Sequence, residues 1–224
     1  TIWSRTPKSP ITSRRCSKKT RILFRSFVRG RRPHLPLDSK SQFLKLSPMV
    51  TRKRFPLKGK AMAFITTTVH EWIPVFADKK CALTVLDQLH ETLSHYKVSL
   101  TAYVFMPSHI HLLLGFQKIE EMSLVMKSFK RMTARRLKPL VPAKLAANFN
   151  YGGSFRLWQP RFDDVIIWSE EQFRIKIEYI HNNPVKAELV QTATDYAYSS
   201  AVDWLSDDKG LLPVDKEWRW LKDN

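Results

Sequence analysis

The sequence predicts an α+β fold: an antiparallel sheet with helices on one face, followed by one added C-terminal helix. Two observations indicate this class. Segments of strand-like, β-branched composition are separated by segments in which apolar residues recur at helical spacing, and their order is strand, helix, strand, strand, helix, strand, helix. The chain of 224 residues is 43% hydrophobic and 12% aromatic, which is enough for the core of one such domain.

The first four predicted elements follow a basic head. Residues 61–70 are rich in β-branched side chains and predict a strand. Residues 82–96 predict an amphipathic helix, because apolar side chains fall at helical spacing at Val85, Leu86, Leu89 and Leu93. Residues 98–106 and 109–116 predict two strands joined by a short Pro-Ser connection, so these two strands form a β-hairpin.

The remaining elements are a helix, a loop, a strand and a final helix. Residues 120–138 predict a helix whose apolar stripe excludes the basic residues Lys127, Lys130, Arg131 and Arg135. Residues 139–155 contain prolines and paired glycines and predict a loop, and residues 162–168 predict the fourth strand. A capping box at residues 169–172 opens a helix that we expect to stop before Pro184. This βαββαβ order is that of a ferredoxin-like sheet, to which the last helix is added.

Positive charge is concentrated at the start of the chain. Residues 1–60 contain 18 Lys and Arg and one acidic residue, whereas residues 61–224 contain 20 Lys and Arg and 19 acidic residues. The formal charge of +18 comes almost entirely from the start of the chain, so it is not evidence that the folded part binds nucleic acid. We divide the chain into a basic head (1–48), a globular domain (49–205) and a C-terminal tail (206–224).

The basic head has three interpretations. It is rich in Arg, Ser and Pro without an apolar period, which is typical of a disordered segment that holds nucleic acid electrostatically. The same composition is typical of an organellar transit peptide. We favour the third interpretation, upstream sequence translated in frame with Met49 as the true start, because globular patterning begins only after Met49.

Composition excludes two classes of protein. No run approaches the roughly 18 apolar residues that a membrane-spanning helix needs, so we expect no membrane partner. The two cysteines, Cys16 and Cys81, exclude a disulfide scaffold and a cysteine-based zinc cage. Such sparse cysteine usage suits a reducing compartment such as the cytoplasm.

Two histidines lie two positions apart on a predicted strand. His109 and His111 therefore point to the same face as Leu113 and Gly115, and we expect that face to be exposed. The opposite face is then the core face and carries Ile110, Leu112, Leu114 and Phe116. Two imidazoles on one rigid strand can converge on one divalent cation; the alternative is a pair of ordinary polar surface residues.

A tyrosine and an asparagine lie one turn apart on the final predicted helix. Phe173, Ile177 and Ile180 mark its buried stripe. Tyr179 leaves this stripe, and Asn183 follows on the same face as Tyr179. The phenol could attack an electrophile polarised by a cation, and the amide oxygen could be a third metal ligand. The alternative is a tyrosine that packs its ring and leaves its hydroxyl in water.

A series of longer motifs runs through the chain in a fixed order. The motifs are AFITTTVHEWIPVFADKKC, YVFMPSHIHLLLGF, FKRMTARRL, LWQPRFDDVIIW, YIHNNPVKAELV and YAYSSA. Together they resemble the REP-associated branch of the single-tyrosine HUH transposases. The resemblance covers about residues 55–205, and the pairing of MPSHIH with YIHNNPV is its most specific part.

The resemblance implies a catalytic role for the globular domain. It implies that His109 and His111 bind a catalytic divalent metal, Mg²⁺ or Mn²⁺, and that Tyr179 is the nucleophile. By analogy Asn183 is the candidate third metal ligand. The same resemblance implies DNA contacts from the basic residues Lys127, Lys130, Arg131, Arg135 and Arg161.

The implied activity is that of a single-stranded DNA endonuclease and strand transferase. It would act through a 5′-phosphotyrosine intermediate on palindromic repeats flanked by hairpins. The implied partner is single-stranded or hairpin DNA, and the implied protein is a monomer or homodimer, cytoplasmic and associated with the nucleoid.

Two other functions remain open on the same fold. One is a non-catalytic module that binds single-stranded DNA or RNA, although the aromatic signature of RNA recognition motifs is absent from the sequence. A histidine pair together with a tyrosine is more than such a binder requires. The other is a replication or conjugation relaxase, although those chains are usually larger.

Deleting residues 1–48 should leave DNA cleavage intact and at most weaken the salt-sensitive part of DNA affinity. The deleted segment carries 13 Lys and Arg, and contacts of such residues with phosphate release counterions on binding. Cleavage and binding by the full and truncated proteins over a salt series measure this effect. A truncated protein that is inactive at low salt would show that the head belongs to the functional protein.

Overall fold

A computed structural model of the protein describes residues 57–218, so the predicted basic head at residues 1–48 lies outside the described part. The elements, in chain order, are β1 (Ala61–Thr68), α1 (Lys79–Tyr96), β2 (Ser99–Met106), β3 (His109–Phe116), α2 (Met122–Leu137), α3 (Ala143–Ala146), β4 (Asn150–Tyr151), β5 (Ser154–Phe155), β6 (Asp163–Ile167), α4 (Glu170–Lys186) and α5 (Ala201–Leu205). Short 3₁₀ turns connect several of them. Within residues 57–218, no helix combines the length and apolar character needed to cross a bilayer.

The main sheet has four strands in the order β2-β3-β1-β6, and every neighbouring pair is antiparallel. This is the strand order of a βαββαβ ferredoxin-like sheet, so the predicted fold class is confirmed. The segment predicted as a loop at residues 139–155 contains a short helix and the small hairpin β4–β5. That hairpin precedes β6, one of the two edge strands of the main sheet.

One face of the sheet is covered by α1 and α2. Their apolar stripes bury Val85, Leu89, Val125 and Phe129 against the strand residues of the larger core. The first turn of α1 is capped by Asp78, whose carboxylate accepts a hydrogen bond from the backbone N–H of Cys81 at 2.9 Å. Both crossover helices therefore lie on one side, as the sequence predicts.

The opposite face of the sheet is also buried, because α4 packs across it. Phe173 and Ile180 of this helix join a second apolar cluster with Met62, Phe64 and Leu113 of the sheet. The prediction that the histidine face is exposed is therefore wrong, since Leu113 is 0% exposed. The alternation of the strand shows which residues share a face, but a helix from elsewhere in the chain decides whether water reaches them.

The start of α4 follows the sequence prediction and its end does not. The predicted cap is present in a shifted form: Ser169 Oγ accepts from the backbone N–H of Gln172 at 3.2 Å, and the Gln172 side chain accepts from the backbone N–H of Trp168 at 2.9 Å, one residue before the N-cap. The helix continues through Pro184 to Lys186 instead of stopping before the proline. Pro184 cannot donate a backbone hydrogen bond, but it lies in the last turn, where the bond from Ala187 N–H to the Asn183 carbonyl still closes the helix at 3.0 Å.

Residues 206–218, which the sequence analysis placed in the tail, pack against the domain. The hydroxyl of Tyr103 accepts hydrogen bonds from the backbone N–H groups of Leu211 and Leu212, both at 3.2 Å. Trp218 is buried against the sheet at Gly115, where any side chain would collide with the indole. This approach explains the glycine in an otherwise apolar strand.

Leu113→Ala should lower the unfolding free energy by about 2–5 kcal/mol, because it empties a fully buried site between the sheet and α4. Val165→Ala is the matched control, because Val165 lies in β6 on the same face of the sheet as Leu113. Val165 is 45% exposed, so its truncation should change the unfolding free energy by only about 0.5 kcal/mol. Urea denaturation of the three proteins measures both changes, and equal losses would contradict the coverage of this face by α4.

Candidate active site

The two histidines lie at the start of β3, on the face that α4 covers. His109 pairs with Thr68 of β1 and His111 pairs with Thr66, so all four side chains share this face. The imidazole centroids are 4.9 Å apart, with the rings at 78° to each other. The two predicted histidines therefore lie side by side, on the face of the sheet that α4 covers.

His111 is held by Thr66 and Phe64 of β1. Its Nδ1 atom is hydrogen-bonded to Thr66 Oγ1 at 2.8 Å, and its ring stacks on Phe64 with centroids 5.5 Å apart. Its Nε2 atom is buried and has no hydrogen-bond partner among the described residues. If Nδ1 carries the proton and donates it to Thr66, the lone pair of Nε2 is available to a ligand.

Burial keeps both imidazoles in the uncharged form that binds metal ions. Desolvation lowers the pKa of His109 to about 4. Desolvation also lowers the pKa of His111 well below its usual range, with smaller contributions from the positive charges of His109 and Lys176. At neutral pH both rings are therefore neutral, and a metal ion would not have to displace a proton from either of them.

The candidate nucleophile approaches this pair from α4. The ring of Tyr179 meets the ring of His111 at 73°, with centroids 5.2 Å apart. It also meets Phe64 edge-on at 5.7 Å. Tyr179 is partly buried and borders the stripe of Phe173 and Ile180, so the phenol lies at the edge of the helix interface. The structure thus brings the tyrosine into contact with His111, one of the two histidines, of the same chain.

Asn183 lies one turn after Tyr179 in α4. Its Nδ2 atom donates to the Tyr179 carbonyl oxygen at 2.6 Å. Within residues 57–218, no hydrogen bond joins Asn183 to His109 or His111. Nor does this part of the chain hold a group of three or more His, Cys, Asp or Glu residues that could bind a metal ion. A metal site here would have to combine the histidine pair with an amide or with substrate oxygens.

Lys176 is a site residue that the sequence analysis missed. Its ammonium lies 4.6 Å from the centroid of Phe64 and 5.7 Å from that of Tyr179. Burial lowers its pKa. The spacing of three residues before Tyr179 is the signal that would have placed both side chains on one helical face. The ammonium of Lys176 is therefore placed for cation–π contact with both rings.

The predicted basic residues divide into two groups. Lys127, Arg131 and Arg135 are exposed at spacings of four along α2 and form one basic stripe. This helix packs on the face of the sheet opposite α4, so the stripe does not line the histidine pair. Their contact with DNA stays a prediction.

Lys130 has a structural role. Its ammonium donates to the carbonyl oxygens of Gln159 at 2.5 Å and Arg161 at 3.0 Å, and burial lowers its pKa to about 8. The backbone N–H of Gln159 in turn donates to the Thr68 carbonyl at 2.9 Å, beside His109. Lys130 therefore anchors the segment that carries the exposed Arg161 near the histidine end of the sheet.

Comparison with known proteins identifies the family. Residues 62–183, more than half of the chain, match the family described as Transposase IS200 like. The chain belongs to the IS200-like transposase family. The matched region includes every predicted site residue, from His109 to Asn183, so the resemblance seen in the sequence motifs is confirmed at the level of the family.

Two relatives of this transposase family member are informative. A REP-associated tyrosine transposase of Haemophilus influenzae is 26% identical over 110 residues, which are 49% of this chain and 62% of the relative, so the match spans less than two thirds of that protein. A solved structure of a REP-associated tyrosine transposase bound to a REP hairpin has a TM-score of 0.58 and 19% identity. It aligns with 78% of this chain and 94% of its own, which supports the α+β fold.

The unfolding free energy should decrease as the pH falls from about 6.5 towards about 4. The pKa of His109 in the folded protein is lowered from 6.5 to about 4. Protons therefore bind first to the unfolded chain in this interval and favour it, whereas the stabilising contribution of the neutral ring is complete above a pH of about 7. Urea denaturation at several pH values measures the slope. His109→Gln should reduce the slope by this residue's share, because burial also lowers the pKa of His111 and His181. An unchanged slope would contradict the burial of a neutral His109.

Proposed function

We propose that this chain is a metal-dependent endonuclease and strand transferase for single-stranded DNA. Its reaction would proceed through a covalent 5′-phosphotyrosine at Tyr179. The observation that carries the proposal is the contact of the Tyr179 ring with the ring of His111, whose buried Nε2 atom has no hydrogen-bond partner among the described residues. Membership of a transposase family supports the same conclusion.

The residues present are suited to a divalent metal ion. His111 offers an Nε2 atom that is buried without a hydrogen bond, and Thr66 fixes the ring from its other nitrogen. His109 and Asn183 are the other candidate ligands in this proposal. When bound, Mg²⁺ or Mn²⁺ would polarise the non-bridging oxygens of a scissile phosphate.

The chemical step then belongs to Tyr179. Its phenolic oxygen attacks the phosphorus atom, the bond from phosphorus to the 3′ oxygen breaks, and the 3′-hydroxyl leaves with a proton. One phosphodiester is exchanged for another, so a 3′-hydroxyl from a second strand can displace the tyrosine and rejoin DNA.

The DNA partner in this proposal is a single strand next to a hairpin. A phosphate can be attacked in line only when its strand is splayed open, which favours unpaired DNA at the histidines. A related fold has been solved with a REP hairpin bound, which supports a hairpin for this chain. The exposed Lys127, Arg131, Arg135 and Arg161 would supply phosphate contacts that position the DNA without reading its sequence.

Tyr179→Phe should bind hairpin DNA with a single-stranded extension as well as the parent protein and should cut none of it. The substitution removes one oxygen and leaves the aromatic contacts with Phe64 and His111. Parent protein denatured during the reaction with 3′-labelled DNA should carry the label on the peptide that contains Tyr179. Tyr96→Phe, in α1 on the other side of the sheet, is the control and should cut normally.

Several outcomes would contradict parts of this function. A label on another tyrosine, or cleavage by Tyr179→Phe, would remove Tyr179 as the nucleophile. Cleavage without any protein-linked label would indicate an activated water and a plain nuclease. Full activity of the parent in EDTA would remove the metal, and binding without cleavage in Mg²⁺ and Mn²⁺ would favour the non-catalytic binding module.

A further inference from the structure

The turn that follows β1 has an unusual backbone conformation. Glu71 has φ 52° and Trp72 has φ 59°, two consecutive non-glycine residues in the left-handed region. Each such residue is destabilised by contact between its Cβ atom and the following carbonyl oxygen. Three backbone hydrogen bonds hold the turn: His70 N–H donates to the Leu157 carbonyl at 2.8 Å, Trp72 N–H to the Val69 carbonyl at 3.0 Å, and Ile73 N–H to the His70 carbonyl at 3.2 Å. Strain of this kind concentrates at functional sites.

The strained turn places a large aromatic side chain at the candidate active site. The Trp72 ring lies 5.3 Å from the ring of His109, at 67°. Yet 56% of this tryptophan is open to solvent, so the contact with His109 leaves much of the indole uncovered. An exposed indole contributes little to folding, and here it is held in place by a backbone that is itself strained.

We propose that Trp72 is a stacking platform for an unpaired DNA base. Its partner is the base of a nucleotide that flanks the phosphate held at His109 and His111, and this inference rests on the proposed function. One sugar separates a base from its phosphate, so a nucleotide whose phosphate lies beside His109 carries its base to the adjacent indole. Stacking on an aromatic face is tolerant of sequence and holds single strands firmly.

The neighbouring surface has the composition expected for such a strand. The ring of His70, in the same turn, meets the ring of Tyr151 at 6.4 Å, and Tyr151 is 60% exposed. The guanidinium of Arg156 lies 4.2 Å over the Tyr151 ring. Exposed aromatic rings interleaved with a cation suit the bases and phosphates of a single strand. Together with Trp72, these residues mark a path that leads away from the histidine pair.

Binding can be tested without cleavage in the Tyr179→Phe protein. The probe is a DNA hairpin with a randomised 5′ single-stranded extension, selected for retention by that protein and then labelled with 2-aminopurine at each extension position in turn. Stacking on Trp72 should quench the fluorescence at one position. Adding Trp72→Ala should abolish this quenching and weaken binding roughly tenfold to a hundredfold, the range of a base–aromatic stack. Trp72→Phe should retain most of both.

Trp168→Ala is the matched control. Trp168 is 61% exposed, but it follows β6 at the end of the sheet far from His109. Its loss should leave the quenching position and the affinity unchanged. Thermal melting tests whether each variant is folded. If Trp72→Ala is unfolded, the Trp72→Phe variant and the parent protein still report the quenching.

A double-mutant cycle tests whether the base and the indole are true partners. An abasic site at the quenched position should weaken binding by the same factor as Trp72→Ala, and the two changes together should weaken it no further. Additive losses, or no position whose quenching depends on Trp72, would overturn the stacking inference. Formation of the covalent Tyr179 adduct is measured separately. If the parent protein forms no adduct, the proposed function is wrong. If the adduct forms but no quenching depends on Trp72, only the stacking inference is wrong.

Discussion

The packing of α4 across the second face of the sheet is the constraint on which the candidate site depends. Phe173 and Ile180 anchor the helix over Met62, Phe64 and Leu113, and this burial positions Tyr179 against His111. The tyrosine and the histidine are far apart in sequence, so only this interface brings them together. A helix displaced by one turn would remove the phenol from the imidazole and leave the sheet equally hydrophobic.

The same burial sets the electrostatics of the site. Desolvation is the largest cause of the lowered pKa of both His109 and His111, and it also lowers the pKa of Lys176. A buried imidazole nitrogen without a hydrogen bond is costly, because it has lost its water and gained nothing. A folded protein retains such a cost where a bound ligand satisfies the atom during function. The unpaired His111 Nε2 atom is therefore the strongest indication of a ligand site in this domain.

The end of the sheet next to His109 is built by connections from three separate parts of the chain. The turn with Trp72 follows β1, the segment at Gln159 is tied to Thr68, and Lys130 reaches from α2 to hold that segment. These contacts explain why basic and aromatic residues that are scattered in sequence border one edge. They also separate two roles of lysine, because Lys130 is used inside the structure while Lys127 remains on the surface.

Local periodicity determined much of this protein from the sequence alone. The period of two put His109 and His111 on one face of β3, and the motif at Ser169 marked the start of α4. These features depend on neighbours within a few residues, which is the range over which a pattern can be read. The βαββαβ order followed from the same patterns, since consecutive elements of this kind usually pack as neighbours.

The tertiary structure alone decided what covers each face and which side chains meet. The exposed face expected for Leu113 is buried, the helix extends past Pro184, and Thr66, Phe64 and Lys176 complete the surroundings of His111 and Tyr179. The left-handed backbone at Trp72 occurs without a glycine, so the sequence does not predict it. Each of these features depends on contacts between residues that are distant in sequence. A local sequence pattern does not show which distant residue packs against it.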